Sequence, residues 1–310
     1  FAVALLFALF GTLVISSSSG EESGVRLSLD FHGVAVALLV FLLGMELVDK
    51  LAFRDELSLA RDLQSELVLK TPPLVPGLSI GTFNRIANMV GGDLFDLEPL
   101  GDGRLVVLFG DASGHGMTAG LVMAVTHAGF RTQIDVDPSP EAVVASLNKI
   151  LCRSGACRAG GPRQFFAGVA LLLEKDGSFR AIVAGHPPVL KVDAGGRIVE
   201  RIGKGSYPIG IRDGANWKVE TGILATGETL LFHSDGLTDV LDSRGSEFGD
   251  ARVERVIARR AGASGEELVG ALSAELADFL GRKPPDDDVS IAAIRRCSGG
   301  DDLPPYPSNS

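Results

Sequence analysis

Leu105-Val106-Val107-Leu108-Phe109-Gly110-Asp111-Ala112-Ser113-Gly114-His115-Gly116 is the stretch from which the rest of the chain is read. An apolar run reads as a strand and breaks directly into a glycine turn that carries an acid, Asp111. A carboxylate at a strand end is aimed at one point by a rigid sheet. The same design recurs along the chain. Gly91-Gly92-Asp93-Leu94-Phe95-Asp96 precedes it, and Leu230-Leu231-Phe232 leads into His233-Ser234-Asp235-Gly236-Leu237-Thr238-Asp239. A last cluster follows at Asp286-Asp287-Asp288-Val289-Ser290. Carboxylates that converge repel one another unless cations hold them together. All-oxygen ligation favours hard ions, Mg²⁺ or Mn²⁺, and two such ions suit phosphoester hydrolysis.

Composition narrows the field. With 310 residues the chain can bury a large domain and carry extra segments. Its net charge of −10 argues against a nucleic-acid partner, which needs a basic face. The three cysteines (Cys152, Cys157, Cys297) include no Cys-x-x-Cys pair and read as free thiols of a reducing compartment. The mean hydropathy of +0.25 is high for a soluble enzyme, and the excess lies at the N-terminus.

Residues 1–15 carry no charge, and the chain opens inside this stretch without an initiator methionine. A start upstream would complete a membrane span. A polar stretch follows, and residues 33–45 are apolar again. Residues 1–48 are therefore expected to form a transmembrane hairpin, with a signal sequence or a buried helix as the competing readings. Lys50, Arg54 and Arg61, set against Glu21 and Glu22, place the C-terminal side in the cytoplasm. Residues 49–71 read as a helical linker. Phe53, Leu57, Ala60, Gln64 and Leu67 form a short heptad seam, suited either to a homodimer or to a solvated spacer. Thr71-Pro72-Pro73 stops that helix.

From residue 72 to 297 strands alternate with a few helices. Strands are predicted at 79–84, 104–109, 166–174, 179–183, 189–192, 229–232 and 289–295, several joined by hairpin turns. Helices are predicted at 117–132, 140–151, 250–260 and 265–280. Ser139 with Pro140 starts the second, and Ser264 with Glu267 forms a capping box on the last. Consecutive hairpins with interspersed helices specify an α+β antiparallel sandwich. The proline-rich tail, 298–310, reads as disordered.

The ordered set GGDxxD, GDxxGHG, AGHPP, PxGI, SDGLTD and DDxS resembles the PPM-type protein phosphatases of the SpoIIE/RsbU branch. The resemblance implies a four-layer α-β-β-α sandwich with two antiparallel sheets. It also implies two Mg²⁺ or Mn²⁺ ions and hydrolysis of phosphoserine or phosphothreonine by a water that the ions activate. Carried over by motif, Asp93, Asp111, Asp235 and Asp287 are the metal ligands and catalytic acids. Asp111 would bridge the ions, the Ala112 carbonyl would add a neutral oxygen, and Asp96 would support the ligands from behind. Asp286 and Asp288 crowd Asp287 and leave the register open by one. His115 reads either as a general acid or as a ring that hydrogen-bonds an aspartate. Gly114 and Gly116 read as sites of backbone approach to the phosphate and metals. His186 reads as holding a turn, and His233 as packing. The resemblance further implies a phosphorylated STAS-domain anti-sigma-factor antagonist as substrate. A non-catalytic phosphoprotein-binding module and a membrane signalling scaffold are the rival readings.

Overall fold

The computed structural model describes residues 12–16, 26–30, 32–67, 69, 71–87, 91–114, 116–156, 164–203 and 205–297. The side chains of 12–16, 26–30, 32, 52–66 and 155–156 are outside that description. The chain divides into two compact units, Phe1–Leu59 and Ala60–Ser310.

In the larger unit, pleat periodicity sorts the side chains into layers. Strand β5 (Leu105–Ala112) lies between β4 (Asp93–Pro99) and β6 (Phe166–Leu173); β7 (Ser178–Ala184) and β10 (Glu220–Ile223) complete that sheet in the order β10-β7-β6-β5-β4. A second sheet runs β3-β12-β11-β8-β9, formed by β3 (Leu78–Arg85), β8 (Val189–Val192), β9 (Ile198–Ile202), β11 (Thr229–His233) and β12 (Val289–Arg296). Every pairing is antiparallel. Alternate residues of a strand face opposite ways. Leu105, Val107 and Phe109 therefore enter a core with Phe95, Phe232 and Ala292, between the sheets. Val106 and Leu108 point the other way, onto Met123, Phe130, Val143 and Leu147. Those residues belong to helices α2 (Met117–Ile134) and α3 (Pro140–Leu151). On the far side, Leu231, Ile291 and Ala293 pack on Leu268, Leu272 and Leu276. These belong to α6 (Gly265–Leu280), which follows the short α4 (Asp235–Thr238) and α5 (Asp250–Arg259). The result is the expected α-β-β-α sandwich. A one-residue slip of β5 would exchange its two faces, so burial on both sides fixes the register.

The caps behave as their chemistry requires. Ser139 Oγ accepts the Ala142 amide, with Pro140 at the first helical position. The Glu267 amide donates to Ser264 Oγ at 3.2 Å, and the Ser264 amide donates to Glu267 Oε2 at 2.8 Å. Helix α6 starts hard against β3, because a Cβ on Gly81 would collide with the backbone of Gly265.

Three strands of the larger unit were not predicted: β4, β9 and β10. The acidic sequence of β4 hides a strand, and the other two are short with mixed exposure. Asp111 also departs from expectation. It lies within β5 rather than on a turn beyond it, since the ladder continues to Ala112. The cysteine reading needs correction too. Cys297 is a free thiol, but Cys152 is disulfide-bonded, with its partner outside the described residues. The expectation rested on compartment and on the lack of a Cys-x-x-Cys pair. Neither excludes a bond at Cys152, which opens the π-helical turn Cys152–Ala156 at the end of α3.

In the smaller unit β1 (Thr12–Ser16) pairs with β2 (Arg26–Asp30), so part of the first apolar stretch is extended. Helix α1 (His32–Leu67) covers the second stretch and the linker in one element, and the expected boundary at residue 48 falls inside it. It ends four residues before Thr71. No helix among the described residues is long and apolar enough to cross a membrane. Of the dimer seam, the side chains of Phe53, Leu57, Ala60 and Gln64 lie outside the described residues, as does the tail 298–310.

Candidate active site

Four segments bring acids to one end of the sandwich. Asp93 opens β4 and is the cross-strand partner of Asp111 on β5, which sets two carboxylates side by side on one sheet. The opposite sheet supplies Asp235, the first residue of α4 after β11, and Asp287, two residues before β12. Asp93 is 4 % exposed, Asp111 is half-buried, and Asp235 and Asp287 are exposed.

The electrostatics show what this proximity costs. Burial, reinforced by the charges of Asp288 and Asp235, pushes Asp93 up to about 7 against the opposing hydroxyl dipoles of Ser290 and Ser234. Asp111 is pushed up to about 8 by burial and then by the charges of Asp93, Asp235, Asp287 and Asp288. Asp235 is also raised, by burial first and by Asp287 and Asp239 next. Asp93 Oδ2 and Ser290 Oγ are both buried without a hydrogen-bond partner of ordinary geometry. The serine therefore acts on the carboxylate as a nearby dipole. An orphaned buried carboxylate oxygen among like charges is what a divalent cation would satisfy. The oxygen-only donor set fits Mg²⁺ or Mn²⁺. No three His, Cys, Asp or Glu side chains among the described residues stand close enough to form a ready-made cage. The acids share one end of the fold without being drawn onto a single point.

Gly92 makes the close approach possible. A Cβ there would collide with Asp111 Oδ1 and come within 2.8 Å of the Ala112 carbonyl oxygen, the neutral ligand expected from the motif. Gly114 and Gly116 differ from Gly92. A Cβ on either would meet nothing within 4 Å, and both adopt positive φ, 98° and 64°. Positive φ alone favours glycine at both positions. His115, between them, lies outside the described residues.

Asp96 does not support the ligands. Three residues after Asp93 it faces the opposite side of β4, where both its oxygens take Arg131 of α2 at 2.6 Å. His127 Nε2 stands 3.2 Å away, and Arg131 also pairs with Glu98. This network fastens α2 to the sheet. His186 packs edge-on against Phe109, with ring centroids 5.4 Å apart, and Nδ1 lies 2.9 Å from the Pro187 carbonyl oxygen. Burial holds it down to about 4, so the ring is neutral. His233 is likewise lowered by burial, with Nδ1 3.1 Å from the Ser234 carbonyl oxygen. Asp239 accepts the Thr238 hydroxyl at 3.0 Å.

Sequence reasoning left three participants without a role. Ser234 Oγ accepts the Ser290 amide at 3.0 Å, which ties the β11 exit to the start of β12. Asp288 is buried and takes two backbone amides from a distant segment. The hydroxyls in SDG and DDxS were the available signal for the first two. Asp288 stood only as an alternative ligand in the DDxS register, and nothing local marked it as an acceptor of distant amides.

Residues 101–297 match the family model described as Stage II sporulation protein E (SpoIIE). The chain belongs to the SpoIIE family. It is 28 % identical over 194 residues to the phosphoserine phosphatase RsbP of Bacillus subtilis. It is 22 % identical over 266 residues to protein IcfG of Synechocystis. These alignments cover 61 % and 78 % of the chain but only 47 % and 42 % of the relatives, so the chain spans less than half their length. Among solved structures, the SiaA-PP2C domain of Pseudomonas aeruginosa matches with a TM-score of 0.67 at 21 % identity, covering 80 % of this chain and 98 % of that one. The RsbU and RsbW domains of Rv1364c from Mycobacterium tuberculosis match with a TM-score of 0.59 at 27 % identity, over 74 % and 63 % of the two chains. The two five-stranded antiparallel sheets are thus those of the PP2C fold.

Proposed function

We propose that this SpoIIE-family chain is a metal-dependent serine/threonine protein phosphatase. The observation that carries the proposal is the meeting, at one end of the sandwich, of acids from both sheets with no basic partner among the described residues. Asp93, Asp111, Asp235 and Asp287, with the Ala112 carbonyl, would hold two Mg²⁺ or Mn²⁺ ions. Such ions, when bound, lower the pKa of water and offset the charge of a phosphoryl group. The chain's own part is to aim these oxygens from two rigid sheets and to keep Asp93 out of bulk water. The name of the RsbP relative supports phosphoserine as the substrate group. A phosphorylated STAS-domain anti-sigma-factor antagonist is the proposed protein substrate, on the strength of the motif resemblance.

The proposed organisation is a membrane hairpin at 1–48, a linker at 49–71 open to homodimerisation, the phosphatase domain at 72–297 and a tail. It places catalysis on the cytoplasmic side of the membrane. Its support is apolar surface on α1. Val36, Val40, Phe41, Leu47 and Val48 are all more than half exposed. The rival reading, a phosphoprotein-binding module without turnover, has no use for the buried, mutually repelling pair Asp93 and Asp111. The full chain should hydrolyse p-nitrophenyl phosphate with Mn²⁺ and stop with EDTA. Turnover that survives complete chelation would remove the metal reading.

A further inference from the structure

We infer that Asp288 is a positioning residue for the acidic centre, a clamp that fixes the three acid-bearing segments around it and does not itself ligate metal. The inference rests on the phosphatase reading and assigns this acid a separate part within it. Asp288 is 6 % exposed, whereas its neighbour Asp287 is exposed. Both Asp288 oxygens are already engaged. Oδ1 accepts the Ala87 amide at 2.7 Å, and Oδ2 accepts the Gly92 amide at 2.8 Å, across about two hundred residues of sequence. A carboxylate that takes two backbone amides is held firmly, and Gly92 immediately precedes Asp93. The side chain of Asp288 thereby sets where β4 begins and where Asp93 points.

Its backbone does the same for the other two acids. The Ser234 hydroxyl donates to the Asp288 carbonyl at 3.4 Å, and Gly236 lies so close to that carbonyl that a Cβ would collide with it. This braces the turn carrying Asp235. The Asp288 amide donates to Asp287 Oδ1 at 2.8 Å, which orients the neighbouring acid and leaves its other oxygen free of this bond. Gly91 completes the device. A Cβ at that position would stand 2.5 Å from Asp288 Oδ2, so the clamp closes only on glycine. The two glycines of GGD therefore have different duties: Gly91 admits Asp288, and Gly92 admits Asp111 and Ala112. The DDxS register follows, with Asp287 available to a cation and Asp288 committed to the protein.

The test is a double-mutant cycle on the full chain between Asp288→Ala and Gly91→Ala, read by Mn²⁺ affinity in an electron paramagnetic resonance titration. Melting in EDTA monitors folding. Partners that orient metal ligands typically contribute roughly 10- to 100-fold in affinity. Each single variant should weaken Mn²⁺ binding by about that factor. The double variant should be no worse than Asp288→Ala alone, because the added methyl then has no carboxylate to meet. Asp288→Asn, which keeps one acceptor oxygen, should fall between wild type and Asp288→Ala. Unchanged Mn²⁺ affinity in Asp288→Ala, with wild type binding normally, would overturn the clamp and leave the phosphatase reading standing. Additive losses in the cycle would overturn the assigned contact with Gly91. Loss of Mn²⁺ binding in Asp288→Ala beyond that of Asp287→Asn would make Asp288 a ligand and overturn the inference. Wild type that binds no Mn²⁺ would overturn the metal reading and this inference with it.

Discussion

The two faces of β4 carry two buried aspartates in opposite circumstances. Asp96 faces α2 and is neutralised by the Arg131 fork, with His127 alongside. Asp93 faces the inter-sheet side and meets other carboxylates, two serines and, among the described residues, no base. Both sit in one heptapeptide, Asp-Leu-Phe-Asp-Leu-Glu-Pro. The difference comes from pleat geometry alone, since a spacing of three reverses the face. A compensated acid serves cohesion. An uncompensated one stores electrostatic free energy that a ligand can release.

Substitution should separate the two most sharply. Asp93→Asn should lower kcat/KM by on the order of 1,000-fold, because interactions of several kcal/mol at the reacting centre are lost. It should leave the melting temperature in EDTA unchanged or raised at pH 8, since one repelling charge is gone. Asp96→Asn should do the reverse, retaining most of the turnover per folded molecule. Its cost should be about 2 kcal/mol of stability, below the full buried-pair value because the Arg131 side chain is 39 % exposed. Urea denaturation of both variants decides it. Equal stability losses would erase the distinction.

A smaller effect should appear with pH. Asp93 and Asp111 ionise near 7 and 8 in the folded chain, against 3.8 in the unfolded one. Between those limits the folded state holds more protons, so its stability falls as pH rises. In EDTA the melting temperature should drop by roughly 5 °C or more from pH 5.5 to 8.5, and saturating Mg²⁺ should reverse the trend. A flat profile would mean that the cluster is not strained. Smallest of all, His127→Ala should cost under about 1 kcal/mol, because Arg131 alone already occupies both Asp96 oxygens.

Much of this was legible before the fold was known, wherever the signal was local. Ser139-Pro140 and the Ser264/Glu267 box marked two helix starts that the structure keeps. The apolar runs of β5, β6 and β12 read as strands because both of their faces are buried. Strand β4 did not, since its acids are satisfied or used only through tertiary partners. The same limit applies to Asp288, whose meaning lies in amides about two hundred residues away. It also applies to Asp96, whose role depends on a helix face that composition cannot locate. Gly114 and Gly116 stood out as a pair, but the positive φ that both adopt is not written in spacing.

On the proposed reading, Asp93 and Asp111 form a strained, proton-holding pair that a divalent cation would relieve. Titration calorimetry of Mn²⁺ into the full chain at pH 7, in buffers of different ionisation enthalpy, reads this directly. Binding should release on the order of one proton per chain, because ligands must deprotonate to coordinate, and Asp93→Asn should reduce that release. Binding with no proton release in wild type, or no binding at all, would contradict the account.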